Sequence, residues 1–167
     1  ALYSTYYEDI LYIYPPEMYV SEVESVHYTK DFLLEADPIS LDIPSFTEKF
    51  EADNHITFGD AQKEAIQLSF FEKFSLITGG PGTGKTTIIK ALVKGFQLGG
   101  LGRIILCAPT GRAAKRLTEA TEFEATTIHR LLVPVQGSDS YDFTKNEDDP
   151  LDIDVIIIDE ASMLNVR

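Results

Sequence analysis

The sequence is poor in cysteine, in histidine and in long apolar runs, and each shortage excludes a class of protein. The single cysteine, Cys107, excludes an internal disulfide, and one thiol with three scattered histidines makes no metal-ligand cluster. No apolar run approaches the roughly 18 residues that a membrane span needs, and no secretory apolar segment opens the chain. We therefore expect a soluble cytoplasmic protein with no membrane partner.

Basic residues are also scarce, but their shortage is uneven along the chain. The 167 residues carry a net charge of −13, and 44% hydrophobic with 25% charged residues is typical of a folded globular protein. Residues 1–60 hold 2 basic and 13 acidic side chains, residues 72–130 hold 9 and 4, and residues 131–167 hold 2 and 9. Because only local charge matters at a phosphate-binding surface, the middle segment can still bind nucleotide or nucleic acid.

The first 57 residues differ from the rest, with seven of the eight tyrosines and no glycine. The pattern predicts a strand over residues 10–14, stopped by two prolines, and a helix over 18–34. Residues 35–57 are predicted to be an irregular connector. The tyrosines are interpreted as half-buried packing residues, because no basic residues accompany them to make a base-stacking surface.

From Phe58 onward, strands alternate with helices, which predicts an α/β fold with a parallel sheet flanked by helices. The predicted helices cover residues 60–71, 85–96, 111–121 and 126–132; the predicted strands cover 75–78, 104–108 and 155–158; and 136–150 is a polar loop. The last strand has four consecutive apolar residues, which favours a central strand covered on both faces.

The most specific motif is GGPGTGKT at residues 79–86, which fits the phosphate-loop pattern in full. Its glycines allow successive backbone N–H groups to turn toward phosphates, and the following helix directs its positive end at the same anion. Lys85 can reach the β- and γ-phosphates of ATP, Thr86 can ligate Mg²⁺, and Thr87 can donate to the α-phosphate. The loop residues assigned to the nucleotide are Gly80, Pro81, Gly82, Thr83 and Gly84.

A second motif, VIIIDE at residues 155–160, ends a predicted strand in two acids. In open α/β sheets, ligands bind at the carboxyl edge, where both acids would lie. Asp159 suits coordination of Mg²⁺, and Glu160 suits a base that polarises the attacking water. The alternative is that the acids only cap the next helix. Beside a phosphate loop, the pair favours ATP hydrolysis over simple nucleotide binding.

Three further segments accompany these motifs: APTGRAAKRL at 108–117, ATTIHRLL at 125–132, and NEDDPL at 146–151 leading into the VIIIDEASM strand. With LITGG at 76–80, they closely resemble the superfamily 1 DNA helicases of the RecD/TraA type, which include the exodeoxyribonuclease V alpha subunit. The resemblance runs from about Phe58 to Met163. It implies a RecA-like P-loop NTPase fold, with residues 1–57 the tail of an N-terminal region and 58–167 a partial first motor lobe.

The resemblance also implies roles for individual residues. Gln62 matches the glutamine that contacts adenine, although a glutamine near the third position of a helix can equally cap the backbone. Residues matching DNA-contacting motifs of the family are Pro109, Thr110, Arg112, Thr127 and His129. Lys115 and Arg116 can alternatively be a solvated helix face, and a lone histidine is more often structural. The implied partners are single-stranded DNA and other subunits of a helicase–nuclease complex.

The resemblance further implies that parts of a complete motor lie outside this sequence. In the family, a glutamine-bearing motif and a second lobe with catalytic arginines follow, and a later strand inserts between the phosphate-loop strand and the strand that ends in Asp-Glu. We therefore expect the chain to be a fragment, inactive in unwinding by itself. We also expect a gap or an unpaired edge in its sheet.

The favoured hypothesis is the ATP-binding part of an ATP-dependent DNA helicase that moves along single-stranded DNA in the 5′–3′ direction, in DNA repair or recombination. A P-loop ATPase module with a regulatory role and no motor activity is the alternative. A small-molecule kinase is the third hypothesis, and nothing in residues 131–167 supplies the lid arginines that it would need.

Overall fold

The computed structural model describes residues 2–33, 39–135 and 143–164 of the chain. It begins with an antiparallel hairpin of β1 (Tyr3–Tyr7) and β2 (Ile10–Tyr14). The two turn residues, Glu8 and Asp9, both have positive φ, at 47° and 62°. Positive φ at both central residues is the requirement of a type I′ turn, whose twist matches that of the strands it joins.

A 17-residue helix, α1 (Pro16–Phe32), follows the hairpin, so the predicted strand and helix are both confirmed. The predicted half-burial of the tyrosines is wrong for most of them, because Tyr3, Tyr6, Tyr7, Tyr12 and Tyr28 are all exposed. A two-stranded hairpin has no second layer against which both faces could pack. Its tyrosines instead contact neighbouring rings, as in the stacking of Tyr3 on Tyr19 with ring centroids 4.6 Å apart.

The predicted irregular connector over residues 35–57 is wrong in its second half, where α2 (Ile43–Asn54) forms. Asp42 caps this helix by accepting a hydrogen bond from the backbone N–H of Ser45 at 3.3 Å. Pro44 lies in the first turn, where proline costs no internal hydrogen bond. His55 ends the helix in a left-handed conformation.

The remaining strands form a parallel sheet, which confirms the predicted α/β fold class. They are β3 (Ile104–Ala108), β4 (Ala125–Thr127) and β5 (Val155–Ile158), in the order β4-β3-β5. Both pairings are parallel, and β3 lies in the centre. The neighbouring helices are α3 (Asp60–Phe71), α4 (Lys85–Leu98) and α5 (Gly111–Thr121), close to the predicted bounds.

Helix α4 carries the core of this unit. One buried cluster joins α2, α3 and α4, through phenylalanines that include Phe46, Phe70 and Phe96. A second cluster joins α4 to the sheet and to α5 through Ile89, Val93, Leu106 and Leu117. Burial on two sides fixes the helix that follows the phosphate loop relative to the sheet.

Two predictions about the sheet are wrong. Residues 75–78 run into the phosphate loop without pairing to any described strand, and Leu76 remains 72% exposed. Among the strands that the structure describes, β5 pairs only with β3, so it is an edge strand there and not a central one. Its side chains alternate, with Val155 and Ile157 half-buried while Ile156 and Ile158 are exposed. An unpaired strand edge of this kind is what the sequence analysis anticipated.

The segment predicted as one helix over 126–132 is divided between β4 and a short helix, α6 (Ile128–Leu132). In the predicted loop over 136–150, residues 136–142 lie outside the described ranges. Phe143 forms an isolated antiparallel bridge with Pro134, and residues 144–149 form bends. None of the described helices is long and apolar enough to cross a membrane.

Candidate nucleotide site and nucleic-acid interface

The phosphate loop owes its shape to two glycines in the left-handed region. Gly82 has φ 75° and Gly84 has φ 80°, values that side chains with a Cβ rarely adopt. Gly84 is followed directly by α4, whose first turn begins at Lys85. The loop and the unsatisfied N–H groups of that turn therefore form a surface suited to anions.

The ammonium group of Lys85 lies over the loop. Its Nζ donates to the carbonyl oxygens of Gly79 at 2.6 Å and Gly80 at 2.8 Å. Thr83 Oγ1 also donates to the Gly80 carbonyl, at 2.9 Å. The two bonds of Lys85 hold its positive charge against the loop, where the sequence predicted that it would contact phosphates.

Gln62 caps α3 and also contacts the phosphate loop. Its Oε1 accepts from the backbone N–H of Gly59 at 2.8 Å, and its Nε2 donates to the Thr83 carbonyl at 2.9 Å. A Cβ on Gly84 would lie 2.5 Å from that Nε2. The structure therefore shows the capping role that the sequence analysis held open, and it adds a bond to the loop.

The carboxyl ends of the three parallel strands bring the other candidate residues to one edge of the sheet. Cys107 is in register with Ile158, and Ala108 is in register with Thr127. Pro109 and Thr110 follow β3 at this edge, and Asp159 and Glu160 follow β5. The backbone N–H of Asp159 donates to the Cys107 carbonyl at 2.9 Å, which extends the pairing by one residue.

The two acids after β5 differ in their surroundings. Asp159 is half-buried, whereas Glu160 is exposed and adopts a left-handed conformation with φ 56° and ψ 34°. A 3-10 helix, Ala161–Met163, follows. Beneath the edge, Ile89 of α4 packs in one apolar cluster with Leu106 of β3 and Ile157 of β5.

The threonines predicted to contact DNA each cap a helix. Thr110 Oγ1 accepts from the N–H of Ala113 at 3.2 Å, and Thr127 Oγ1 accepts from the N–H of Arg130 at 3.2 Å. A hydroxyl that accepts in this way keeps its own proton for another partner. Both threonine side chains can therefore cap their helices and still donate a hydrogen bond to a phosphate.

Arg112 and His129, two further residues predicted to contact DNA, have different surroundings. Arg112 is exposed on the first turn of α5. His129 is exposed on α6, and its ring packs edge-on against Phe143 with centroids 5.8 Å apart. That contact gives His129 a structural role of its own, which the sequence analysis weighed as the alternative.

The described residues contain no group of three or more His, Cys, Asp or Glu side chains that could hold a metal. Mg²⁺ at a nucleotide site needs fewer protein ligands, because it keeps waters and binds phosphate oxygens. Thr86 and Asp159 offer the hard oxygen atoms that Mg²⁺ prefers. Cys107 is not a candidate ligand or nucleophile, because burial raises the pKa of its thiol to about 11.

A groove on the same edge contains residues that the sequence analysis did not assign to a site. It has a volume of about 280 Å³ and is lined by Thr110, Arg112, Ala113, Arg116, Glu160 and Met163. Arg116, Ala113 and Met163 are the unassigned members. The spacing of Arg112 and Arg116, one turn apart on a helix, was the available signal for the first of them.

Comparison with curated proteins finds similarity to RecD proteins. The chain is 46% identical over 89 residues to an ATP-dependent RecD2 DNA helicase of Deinococcus radiodurans, covering 53% of this chain and 12% of that protein. It is 36% identical over 129 residues to the RecBCD enzyme subunit RecD of Mycolicibacterium smegmatis, covering 64% of this chain and 23% of the relative. The corresponding subunit of Haemophilus influenzae is 36% identical over 132 residues, covering 64% and 20%.

The chain thus spans between 12% and 23% of the length of these relatives. The matches confirm the predicted resemblance to RecD-type helicases. A family model described as an AAA domain matches residues 62–167. The chain therefore belongs to the AAA domain family.

Proposed function

We propose that this chain is the ATP-binding and ATP-hydrolysing part of a DNA helicase that moves along single-stranded DNA in the 5′–3′ direction. The observation that carries the proposal is the single sheet edge that gathers Thr110, Thr127, Asp159 and Glu160. Residues assigned to nucleotide chemistry and residues assigned to DNA are neighbours there. A change at one set can therefore reach the other through one or two strands.

On this proposal, the phosphate loop binds ATP through Gly80, Pro81, Gly82, Thr83 and Gly84, and Thr87 contacts the α-phosphate. ATP with Mg²⁺ supplies the phosphoanhydride bond whose hydrolysis drives movement. Lys85 would leave the two loop carbonyls and pair with the β- and γ-phosphates. Gln62 would contact adenine.

The two acids after β5 would have different roles. Asp159, with Thr86, would hold Mg²⁺ through oxygen atoms. Glu160 would accept a proton from the attacking water, and its exposure leaves the carboxylate accessible to that water. The half-burial of Asp159 and the exposure of Glu160 support this division.

The DNA contacts would be made by Pro109, Thr110, Arg112, Thr127 and His129. Contacts to the sugar–phosphate backbone do not depend on sequence and weaken with salt. The proteins named RecD subunits of the RecBCD enzyme act in an assembly, so other subunits of a helicase–nuclease complex are proposed partners as well. We place this activity in DNA repair or recombination.

The test is the ATPase rate of the full-length protein with and without single-stranded DNA. We expect stimulation by DNA, and Lys85→Ala should lower the stimulated rate by at least about 100-fold, because the developing phosphate charge loses its cation. Lys94→Ala is the matched control, since Lys94 is an exposed lysine on the same helix. Hydrolysis indifferent to DNA would favour a regulatory ATPase module instead.

A further inference from the structure

The groove beside the carboxyl edge of β5 has a charge balance that depends on Arg116. Arg112 and Arg116 lie four residues apart on α5, so they share one face of the helix. Both line the groove, and Glu160 lines it as well. Arg112 alone would only balance the carboxylate of Glu160, and Arg116 makes the groove net positive.

Both arginines are available to a ligand. In the parts of the chain that the structure describes, neither guanidinium lies within ion-pair distance of a carboxylate. By contrast, Lys115 between them pairs with Glu119 at 3.8 Å on another face of the helix. Two unpaired arginines on one face are notable in a chain with 27 acidic and 14 basic residues, where acidic partners are plentiful.

The groove combines these charges with an apolar contact. Met163 is 58% exposed and lines the same groove. A planar guanidinium fits two phosphate oxygens at once, and a methionine can pack against a sugar or a base. Cationic and apolar groups side by side suit a nucleotide unit of a strand better than a free inorganic anion.

We propose that Arg116 is a further DNA-contacting residue, which with Arg112 holds one backbone phosphate of single-stranded DNA in this groove. The inference rests on the proposed function and extends its DNA interface from the start of α5 by one helical turn. Because Glu160 faces the same groove, its negative charge opposes the bound phosphate. Removing that charge should therefore strengthen DNA binding.

The experiment measures binding of fluorescein-labelled oligothymidylate to the full-length protein by anisotropy, without nucleotide and over a range of NaCl concentrations. Arg116→Gln should weaken binding on the order of tenfold, through loss of a charge-assisted contact. It should also reduce the slope of log affinity against log salt by about 0.7, the value for one phosphate on a single strand. Arg116→Lys, which keeps the charge, should recover most of the slope.

Two variants make the test specific. Lys115→Gln removes the same charge one residue away and should leave affinity and slope unchanged. Glu160→Gln should raise DNA affinity severalfold, a gain that a purely structural role of this region would not produce. Equal losses of DNA affinity in Arg116→Gln and Lys115→Gln would overturn the inference. It would also be overturned if Arg116→Gln lowered both the thermal midpoint and the DNA affinity, and Arg116→Lys bound DNA no more tightly than Arg116→Gln.

The groove could instead bind the phosphates of ATP. The KM for ATP distinguishes this alternative from the binding of a DNA phosphate. The inference expects Arg116→Gln to leave this KM unchanged. A raised KM with unchanged DNA affinity would overturn it. If the wild-type protein shows no DNA stimulation, the proposed function fails; if it is stimulated while Arg116→Gln binds DNA normally, only the present inference fails.

Discussion

The side-chain amide of Gln62 joins the start of α3 to the phosphate loop. Its oxygen accepts from the Gly59 N–H at 2.8 Å, and its nitrogen donates to the Thr83 carbonyl at 2.9 Å. Both ends of the amide are engaged, so a single side chain holds the loop backbone relative to a helix of the core. Gln62 is thereby in a position to influence nucleotide binding whether or not it touches the base.

Replacing Gln62 should separate the contribution of its bond to the loop from that of its proposed contact with adenine. Gln62→Ala removes the bond to the loop, which weakens binding of any nucleoside triphosphate, and it also removes the proposed adenine contact. We expect the Kd for ATP to rise about tenfold and the Kd for GTP to rise by a smaller factor. Titration with fluorescent analogues of both nucleotides measures the two values.

The control for this prediction is Gln67→Ala, on an exposed position of the same helix, which should bind both nucleotides as wild type does. Equal losses for ATP and GTP in Gln62→Ala would contradict the adenine contact. An unchanged Kd for GTP would contradict the role of the bond to Thr83.

Arg103 and Asp154 tie the segment before β5 to the start of β3. Asp154 Oδ1 accepts from Arg103 Nε at 3.1 Å and from Nη2 at 2.6 Å, and Oδ2 accepts from the backbone N–H groups of Gly102 and Arg103. The hydrogen bonds of the Arg103 side chain are the largest cause that lowers the pKa of Asp154. A lowered pKa in the folded state stabilises the fold above the ordinary carboxyl range, and this stability is lost as pH falls through the lowered value.

We therefore expect Asp154→Asn to reduce the thermal midpoint at pH 7, with a difference from wild type that shrinks as the pH is lowered through 4 toward 3. Asp152→Asn is the matched control, because Asp152 also contacts Arg103 but its side chain is 87% exposed. An exposed pair contributes little, so its effect at pH 7 should be smaller. A pH-independent difference for Asp154→Asn would refute the assignment to the charge of this carboxylate.

The sequence predicted those elements whose signals are local. Helix α3 begins at the residue after Gly59, with Gln62 at its third position, and helix α4 begins directly after the glycines of the phosphate loop. The phosphate loop itself is a local motif, because its shape depends on glycines at fixed spacing. Helix α2 also had local signals, in Asp42 before it and Pro44 in its first turn, although the segment was predicted to be an irregular connector.

Elements whose state depends on distant partners were not predictable in the same way. Four apolar residues in β5 are equally compatible with a central strand and with an edge strand, because the neighbour on the far side decides which it is. Residues 75–78 have a strand composition but no described strand beside them. Arg116 and Lys115 are adjacent basic residues, and what decides which of them lines the groove is the face of α5 on which each lies. That face is fixed by the burial of Ala114 and Leu117.

Gly95, in the interior of α4, is expected to resist replacement by alanine. Alanine has the higher helix propensity, by about 1 kcal/mol, so propensity alone predicts stabilisation. However, a Cβ at this position would lie 2.2 Å from Phe70 Cζ and 3.1 Å from Phe46 Cε1. The crowding should dominate, and we expect Gly95→Ala to lower the free energy of unfolding by about 1–3 kcal/mol in denaturant titrations.

Gly111, the first residue of α5, provides the comparison, because a Cβ there would meet nothing within 4 Å. Gly111→Ala should be neutral or slightly stabilising. Equal stabilities of the two variants would mean that Phe70 can move aside, and that the core around α4 is less tightly packed than the structure indicates.

The unpaired edge of the sheet gives a last prediction, which contrasts two adjacent residues of β5. Ile157 packs against both buried clusters, whereas Ile156 is 41% exposed on the opposite face. Ile157→Thr places a hydroxyl among apolar groups and should cost about 1–3 kcal/mol of the free energy of unfolding, while Ile156→Thr should change it by less than about 0.5 kcal/mol. Ile156→Thr should also reduce concentration-dependent association of the 167-residue chain in sedimentation experiments, because it removes an apolar side chain from an exposed strand edge. If Ile156→Thr is the more destabilising change, then the face of β5 on which Ile156 lies is covered in solution.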